Sequence, residues 1–319
     1  MIWHLPHIRA IAAHVGHPIT LITKPRSRAD WIFSTEDTVR DVFWLDRNPE
    51  GRRGVNDGIT GLLRTVIALR ARQFDAIYLL HHSKTLALLA MIAGIPERFG
   101  YGYGVQRWFL NRPPKLPDSM FKLHPFEQAT QWIRAAGIRM TEAEPNLPLE
   151  GAALKAVRSR IRMTPVALGI GASESYKQWS TRRFVALADA LATRGLSNVV
   201  LVGGVAEESV VAEIQSSVRS ATITSAIDWT LPEIAAVLSL SAYYVGNDTG
   251  FMNMAAAVGI RTYCLFGAVP PFRHSSRVVA ITPPGGVSIS DGMARISVEQ
   301  VLAVIDADQA EVQSGPAAR

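Results

Sequence analysis

Three short polar turns in the second half of the chain carry the side chains best suited to chemistry. In the first of them, 246–250, Asp248 and Thr249 follow the apolar run 242–245 and precede a helical pattern of small residues. In open parallel sheets, ligands bind where strands end and where the next helix offers free N–H groups to an anion. The turn therefore predicts an anion site. The alternative is that Asp248 or Thr249 only caps the helix.

The second and third turns also lie between a predicted strand and the predicted helix that follows it. Segment 171–180 follows the run 166–170 and holds Ser173 and Lys177. A hydroxyl can bond phosphate oxygens and a lysine supplies a point charge, although a plain surface loop with one lysine is the alternative. The Gly-Lys-Ser/Thr ending of a Walker loop is missing. Glu207 and Glu208 begin the next helix, where an acid either bonds ribose hydroxyls or simply favours the helix N-terminus.

Because the carboxyl ends of parallel strands meet at one edge of a sheet, we expect the three turns to form a single crevice. Its predicted phosphate, ribose and sugar contacts come from Ser173, Lys177, Glu207, Glu208, Asp248, Thr249 and Gly250.

The elements that position these turns follow from hydrophobic periodicity. Runs of strand length alternate with helical patterns in both halves, which predicts parallel α/β sheets. Since 319 residues exceed the usual size of one core, we expect two domains, 1–150 and 151–308, joined by a proline-containing linker, and a loose polar tail at 309–319. Strands are predicted at 18–23, 42–45, 74–80, 166–171, 198–203, 221–224, 242–245, 262–266 and 278–281. Segment 95–104 is predicted as a short strand followed by a glycine-rich turn. Helices are predicted at 1–15, 60–72, 84–93, 124–137, 182–193, 206–218, 231–239 and 251–258.

Composition narrows the class of protein. Hydrophobic residues make up 48% and charged residues 19%, as in soluble globular proteins, and no apolar run reaches the length of a membrane span. The N-terminus lacks the features of a signal peptide, so we expect a cytoplasmic protein. The single cysteine, Cys264, excludes an intramolecular disulfide and a multi-cysteine metal site, and its apolar context predicts a buried, inert thiol.

The positive charge is confined to the first half. Residues 1–155 hold 20 lysines and arginines against 14 acids, whereas the remainder holds 13 of each. Such a balance suits nucleic acid, anionic lipid or a phosphorylated sugar, or else only keeps the surface soluble. No recognition motif supports nucleic-acid binding. The basic, aromatic segment 105–123 is predicted as an irregular exposed loop, either a connection or a ligand contact through Arg107, Arg112 and Lys115.

Taken together, the runs Gly-Ala-Ser…Lys-Gln-Trp-Ser, Val-Gly-Gly…Glu-Glu and Gly-Asn-Asp-Thr-Gly…Leu-Phe-Gly resemble glycosyltransferase family 9, the heptosyltransferases of lipopolysaccharide core assembly. The resemblance implies a GT-B-like fold, with two Rossmann-like parallel-sheet domains facing across a cleft. It implies that the second domain binds a nucleotide-sugar, often ADP-heptose, and the first the acceptor. Transfer would invert the anomeric centre and need no metal or cofactor.

By this resemblance the donor-binding positions are Ser173, Lys177, Glu208 or its neighbour Glu207, Asp248, Thr249 and Gly250. The sequence departs from the family pattern at two places. Pro and His after Asp-Thr-Gly are replaced by Phe251 and Asn253. Asn253 is kept as a donor-binding candidate because it can still donate a hydrogen bond, although it carries no charge. The family also opens with a strand ending in Gly-Asp, whose Asp is taken to be the general base. That point falls before Met1, so the catalytic residue is unassigned.

The sequence therefore predicts a glycosyltransferase that acts on a phosphorylated or lipid-linked glycan, with peripheral contact at the cytoplasmic face of the inner membrane. We expect the complete protein to carry an in-frame strand ending in Gly-Asp upstream. Two alternatives stay open. One is a nucleotide-sugar binding paralogue without the base, and the other is a GT-B sugar-nucleotide epimerase. Four of the histidines in the first half are expected to be structural: His4, His7, His81 and His82.

Overall fold

The computed structural model describes residues 1–48, 51–272 and 274–314. The chain forms two compact units, one spanning Trp3–Ala143 and the other beginning at Glu144. We predicted the boundary slightly later, at residue 150. The difference arises because Glu144 belongs to the second unit, where its carboxylate accepts hydrogen bonds from the Ser275 hydroxyl at 2.6 Å and the Ser276 N–H at 2.9 Å.

The first unit alternates helices and strands in the predicted order. Its strands pair in parallel as two separate sheets, β1 with β2 and β3 with β4. The elements are α1 (Leu5–Val15), β1 (Ile19–Thr23), α2 (Ala29–Ile32), β2 (Val39–Trp44), α3 (Gly58–Ala71), β3 (Ala76–Leu79), α4 (Lys84–Ile92), β4 (Glu97–Gly100) and α5 (Pro125–Ala135).

Two apolar layers cover the faces of these strands. In one layer Ile19 of β1 and Tyr78 of β3 pack with residues of α1 and α5, among them the buried Trp132. In the other, Ile22 and Ile77 pack with residues of α3 and α4. The two sheets therefore share both layers although no hydrogen bond joins them among the described strands.

The segment 105–123 is irregular apart from short 3-10 turns, as predicted, but it is firmly attached to the unit. Leu110 and Leu116 are buried, whereas Trp108 is 78% exposed. The indole N–H of Trp132 in α5 donates to the carbonyl of Pro114 at 3.1 Å. This loop therefore presents some apolar side chains to solvent while others anchor it.

The second unit contains the larger sheet, six parallel strands in the described part of the chain. The strand order is β10-β9-β8-β5-β6-β7. The elements are α6 (Gly151–Arg160), β5 (Val166–Gly169), α7 (Thr181–Ala192), β6 (Asn198–Val202), α8 (Glu208–Ser217), β7 (Thr222–Ser225), α9 (Leu231–Ser239), β8 (Tyr243–Asn247), α10 (Gly250–Ala257), β9 (Arg261–Leu265), β10 (Val278–Ile281), α11 (Gly292–Arg295) and α12 (Val298–Ser314).

Apolar side chains on both faces of this sheet explain why its strands read as continuous hydrophobic runs. Every residue of β5 and β8 is buried. The chain builds outward from β5 to β7, then crosses to β8 and builds outward on the other side to β10. The strand order thus reverses between β5 and β8, which makes this point the topological switch of the sheet.

Cys264 and the C-terminal tail were the subject of two further predictions. Cys264 is free and fully buried in β9, and burial raises the pKa of its thiol well above the ordinary value, as expected of an inert thiol. The loose tail was wrong for residues 309–314, because α12 continues through Ser314 on the apolar side chains that pack it against the sheet. Residues 315–319 lie outside the described part. Within the described residues, no helix is long and apolar enough to cross a membrane.

Candidate functional site

The carboxyl ends of β5 and β8 are locked together by two glycines and a tyrosine. Gly169 pairs with Gly246 in the sheet. A Cβ atom on Gly169 would lie 1.7 Å from the hydroxyl oxygen of Tyr244, and one on Gly246 would lie 2.5 Å from the carbonyl oxygen of Gly169. Only glycine fits at either position. The buried ring of Tyr244 therefore fixes the spacing of the two strands where the turns begin.

Asn247, the last residue of β8, ties the first two turns to each other. Its side chain is fully buried. Its Oδ1 accepts the N–H of Trp179 at 3.1 Å, and its Nδ2 donates to the carbonyl of Gly171 at 3.0 Å. The indole of Trp179 is buried as well and donates to the carbonyl of Ile296 at 2.9 Å. Sequence reasoning missed Asn247, although a polar residue ending an apolar strand was a usable signal.

Lys177 and Asp248 meet across the switch point. The ammonium of Lys177 donates to Oδ2 of Asp248 at 3.1 Å, and Glu174 lies 3.9 Å away. Both side chains are mostly buried, at 19% and 12% exposure. Burial opposes the charge of Lys177, but its hydrogen bond to Asp248 and the nearby negative charges outweigh this, so the pKa of Lys177 is raised. The pair thus holds a permanent cation at the ends of β5 and β8.

The N-terminus of α10 opens beside this pair. Thr249 occupies the N-cap position, yet its side chain accepts no capping hydrogen bond. Asp248 does not cap either, because its carboxylate is engaged by Lys177. A Cβ on Gly250 would meet nothing within 4 Å, so the space over the first turn is open. Uncapped first-turn N–H groups facing open space are the geometry of an anion site.

Of the two acids in the third turn, Glu207 faces the strand ends. Its Oε2 accepts the N–H of Gly204 at 2.7 Å and would lie 3.4 Å from a Cβ on Gly171. The carboxylate therefore spans the ends of β5 and β6, and it also places a negative charge at the start of the helix, as the alternative interpretation predicted. Glu208 points to solvent and is exposed.

The remaining donor-side candidates are placed less centrally. Ser173 is exposed in the turn after β5. Asn253 is buried at 7% exposure inside α10, where its Nδ2 donates to the carbonyl of Thr249 at 3.0 Å. Its Oδ1 has no hydrogen-bond partner among the described residues. Asn253 thus holds the backbone of the turn, a contact that could not be predicted from the residue pattern.

The basic candidates of the first unit all have partners within that unit, either in the segment 105–123 or in β4. Arg107 bonds Asp118 at 3.1 Å, Arg112 bonds Glu97 at 2.6 Å, and Lys115 donates to the carbonyl of Arg107 at 3.3 Å. All three stay exposed or half-exposed. Arg112 and Lys115 border an open surface cavity of about 400 Å³.

A group of histidines lies at the start of α1. His7 is fully buried, and its Nε2 bonds the hydroxyl oxygen of Thr130 at 2.8 Å. Because the Thr130 hydroxyl donates to the carbonyl of Phe126, His7 must be the donor, which leaves its Nδ1 facing His4 at 3.4 Å. Burial lowers the pKa of His7 to about 4, and burial with nearby positive groups lowers that of His4. Both rings are therefore neutral near pH 7, as expected of structural histidines.

Comparison with known proteins agrees with this architecture. The family model described as glycosyltransferase family 9 (heptosyltransferase) matches residues 62–282. Two parallel α/β units with a GT-B-like fold define the structural class, and the chain belongs to glycosyltransferase family 9. It is therefore a glycosyltransferase of the heptosyltransferase type.

Individual relatives are distant in sequence. Lipopolysaccharide heptosyltransferase 2 of Escherichia coli K12 is 24% identical over 238 residues, which cover 67% of each chain. A glycosyltransferase family 9 structure from Veillonella parvula superposes with a TM-score of 0.77 at 17% identity, over 96% of this chain and 92% of the other. The E. coli heptosyltransferase WaaC, solved with ADP-2-deoxy-2-fluoro heptose, gives 0.71 at 15% identity over 97% of both chains.

Proposed function

We propose that this enzyme transfers a heptose or similar sugar from an ADP-linked donor to a lipopolysaccharide-core or related glycan, with inversion and without a metal ion. The observation that carries the proposal is the Lys177–Asp248 pair beside the uncapped N-terminus of α10, at the switch point of the second sheet. The lipopolysaccharide heptosyltransferase relative and the WaaC structure with an ADP-heptose analogue support this choice of donor and acceptor.

The cation and the helix N-terminus suit a nucleoside diphosphate. In the proposed complex the Lys177 ammonium and the first N–H groups of α10 donate to the phosphate oxygens. As the acceptor hydroxyl oxygen attacks the anomeric carbon from the opposite side, its proton passes to a general base, which is not assigned among the described residues. The bond from the anomeric carbon to the terminal phosphate oxygen breaks, and ADP leaves with the electron pair. Negative charge then grows on that oxygen, and donors already held in place stabilise it more than they stabilise the ground state.

The acids around the site have separate proposed roles. Asp248 orients Lys177 in the empty site and accepts a sugar hydroxyl once the diphosphate engages the ammonium. Glu207, at the ends of β5 and β6, accepts a ribose hydroxyl, which Glu208 cannot reach from its solvent-facing position. The hydroxyls of Thr249 and Ser173 add donors to phosphate oxygens. Asn247 and Asn253 hold the turns and touch no substrate.

For the acceptor we propose a phosphorylated, lipid-linked glycan met at the cytoplasmic face of the inner membrane. The cavity beside Arg112 and Lys115 offers cations to phosphate groups. A phosphate would have to compete with Glu97 for Arg112 and with Asp118 for Arg107.

The acceptor site is tested by the substitutions Arg107→Gln, Arg112→Gln and Lys115→Gln. These variants should raise the KM for the acceptor and leave the affinity for ADP unchanged. Equal loss of both would remove these residues from the acceptor site.

The proposed function is tested by turnover. The 319-residue protein is incubated with ADP-heptose and a heptose-deficient core acceptor, and the acceptor mass and ADP release are followed together. We expect one heptose gained per ADP released, with inverted anomeric configuration, and unchanged rates after treatment with a chelator. ADP-heptose binding without transfer would instead identify a binding protein, and free epimerised sugar formed without acceptor would identify an epimerase.

A further inference from the structure

Helix α3 (Gly58–Ala71) presents an apolar stripe to solvent. Ile59, Leu63 and Ile67 are spaced four residues apart, so they line one side of the helix. They are 79%, 56% and 67% exposed. The opposite side of α3 packs into the first unit through residues that include Val66 and Leu69. The stripe is therefore not needed to hold the helix in place.

The stripe continues onto the end of α4. The guanidinium of Arg70 donates to the carbonyl of Ile92 at 2.7 Å and to that of Ala93 at 3.4 Å, which joins the two helices at this corner. Ile92 is 48% exposed there, and Met91 is 38% exposed. Scattered single apolar residues are ordinary on a surface, but three exposed in a row along one helix, with two more on the helix hydrogen-bonded to it, are typical of an interaction site.

Arginines surround the row, and acids are nearly missing from it. Residues 51–74 contain five arginines and a single acid, Asp57, and one of these arginines, Arg72, is paired with Asp41 of β2. The carboxylate of Asp57 is already engaged by the N–H groups of Asn48 and Gly54 and by Arg47. Arg64, next to Leu63, is exposed and has no side-chain partner in the described ranges. The surface therefore combines an apolar row with unneutralised positive charge.

We propose that this surface, the α3 face, docks on an anionic phospholipid membrane; it comprises Ile59, Leu63, Ile67, Ile92, Arg64 and Arg70. The apolar side chains enter the boundary between headgroups and acyl chains, and the arginines bind lipid phosphates, as in interfacial amphipathic helices. Charge complementarity decides the occupant. A second copy paired through the same face would bring its arginines against those of the first, because a two-fold interface is self-complementary. Anionic headgroups supply the missing negative charge.

The inference does not depend on the proposed transfer reaction, since no residue of the α3 face belongs to the candidate site. The test is co-sedimentation of the full chain with vesicles of phosphatidylglycerol and phosphatidylethanolamine, compared with vesicles of phosphatidylcholine alone. We expect binding only to the anionic vesicles, weakened as salt rises because the charges are solvent-exposed.

Two variants and one control sharpen the test. Leu63→Ser/Ile67→Ser should lower the vesicle partition coefficient at least about tenfold, because two apolar side chains lose their place in the lipid boundary. Arg64→Glu should lower it by about fivefold or more. Val312→Ser removes an equally exposed apolar side chain from α12 in the second unit and should change nothing. Circular dichroism and melting temperature should match the wild type in all three, since each side chain is exposed.

The contrary outcomes are equally definite. Wild-type protein that stays in the supernatant with anionic vesicles, or variants that bind as well as wild type, would overturn the proposal. So would light scattering that shows a lipid-free dimer converted to monomer by Leu63→Ser/Ile67→Ser, because the face would then belong to a second copy.

Discussion

Replacing Lys177 by methionine separates the two proposed roles of its ammonium group, which are pairing with Asp248 and binding phosphate. The substitution keeps the aliphatic stem but leaves a carboxylate with only 12% exposure and no cation 3.1 Å away. At that separation and an effective dielectric constant near 20 the gross attraction is about 5 kcal/mol. Most of this is offset by the desolvation that both groups have already undergone, so we expect a net loss of about 2 kcal/mol in the free energy of unfolding.

The loss for ADP binding has a different origin. A hydrogen bond from a charged donor to phosphate contributes about 1.5–3 kcal/mol, so the Kd for ADP should rise by about 10- to 100-fold in Lys177→Met. The double variant Lys177→Met/Asp248→Asn removes the stranded carboxylate. It should regain most of the lost stability and none of the lost affinity, which distinguishes the two effects.

Denaturant unfolding and isothermal titration calorimetry with ADP, run on the wild type, both single variants and the double variant, measure these quantities. Asp248→Asn alone should cost little stability, because an asparagine oxygen still accepts from Lys177. The reasoning is refuted if Lys177→Met loses stability while its ADP affinity stays at the wild-type value. The pair would then be structural, and the diphosphate would bind elsewhere.

Three more predictions follow from the described contacts. Gly169→Ala places a methyl group 1.7 Å from the Tyr244 hydroxyl, so thermal unfolding should show a loss of about 3 kcal/mol or more, or insoluble protein, whereas Gly250→Ala, facing open space, should stay within about 1 kcal/mol. Asn247→Leu leaves the N–H of Trp179 and the carbonyl of Gly171 unpaired and should cost about 2–4 kcal/mol by urea titration; a neutral result would contradict its role as the tie between turns. The pKa of His7 is about 4 in the folded protein and about 6.5 unfolded, so the unfolded state binds more protons in this window. The contribution of neutral His7 to the free energy of unfolding is fully present above pH 6.5, falls by about 3 kcal/mol as the pH drops to 4, and is absent at lower pH. In urea titrations at each pH, His7→Asn should flatten that part of the stability profile.

The order of the strands and of most helices was readable from the sequence because apolar periodicity marks them, whereas α2, α11 and α12 were not predicted. The central strands β5 and β8 of the second sheet stand out most, since burial on both faces makes each a largely continuous hydrophobic run. The sequence also predicted that Lys177 and Asp248 would lie at the same edge of the sheet, because their turns follow strands of one parallel sheet, but it did not predict that the two side chains would pair.

Other features depend on side-chain directions that periodicity does not contain. Glu207 and Glu208 are adjacent in sequence. Which of the two side chains lies over the strand ends depends on the residue at which the helix begins, and the sequence pattern does not specify that residue. In α3 both sides are apolar, so the pattern predicted the helix but could not say that Ile59, Leu63 and Ile67 would be the side left exposed. The partners of Arg107 and Arg112, which are Asp118 and Glu97, depend on the path of the chain between them, which periodicity does not predict.

The most direct test of the central claim is a crystal structure of the protein with ADP. The account predicts that the terminal phosphate lies within hydrogen-bond distance of the Lys177 ammonium and the first N–H groups of α10, with the ribose against Glu207. ADP bound away from the carboxyl ends of β5 and β8, with the Lys177–Asp248 pair undisturbed, would contradict it.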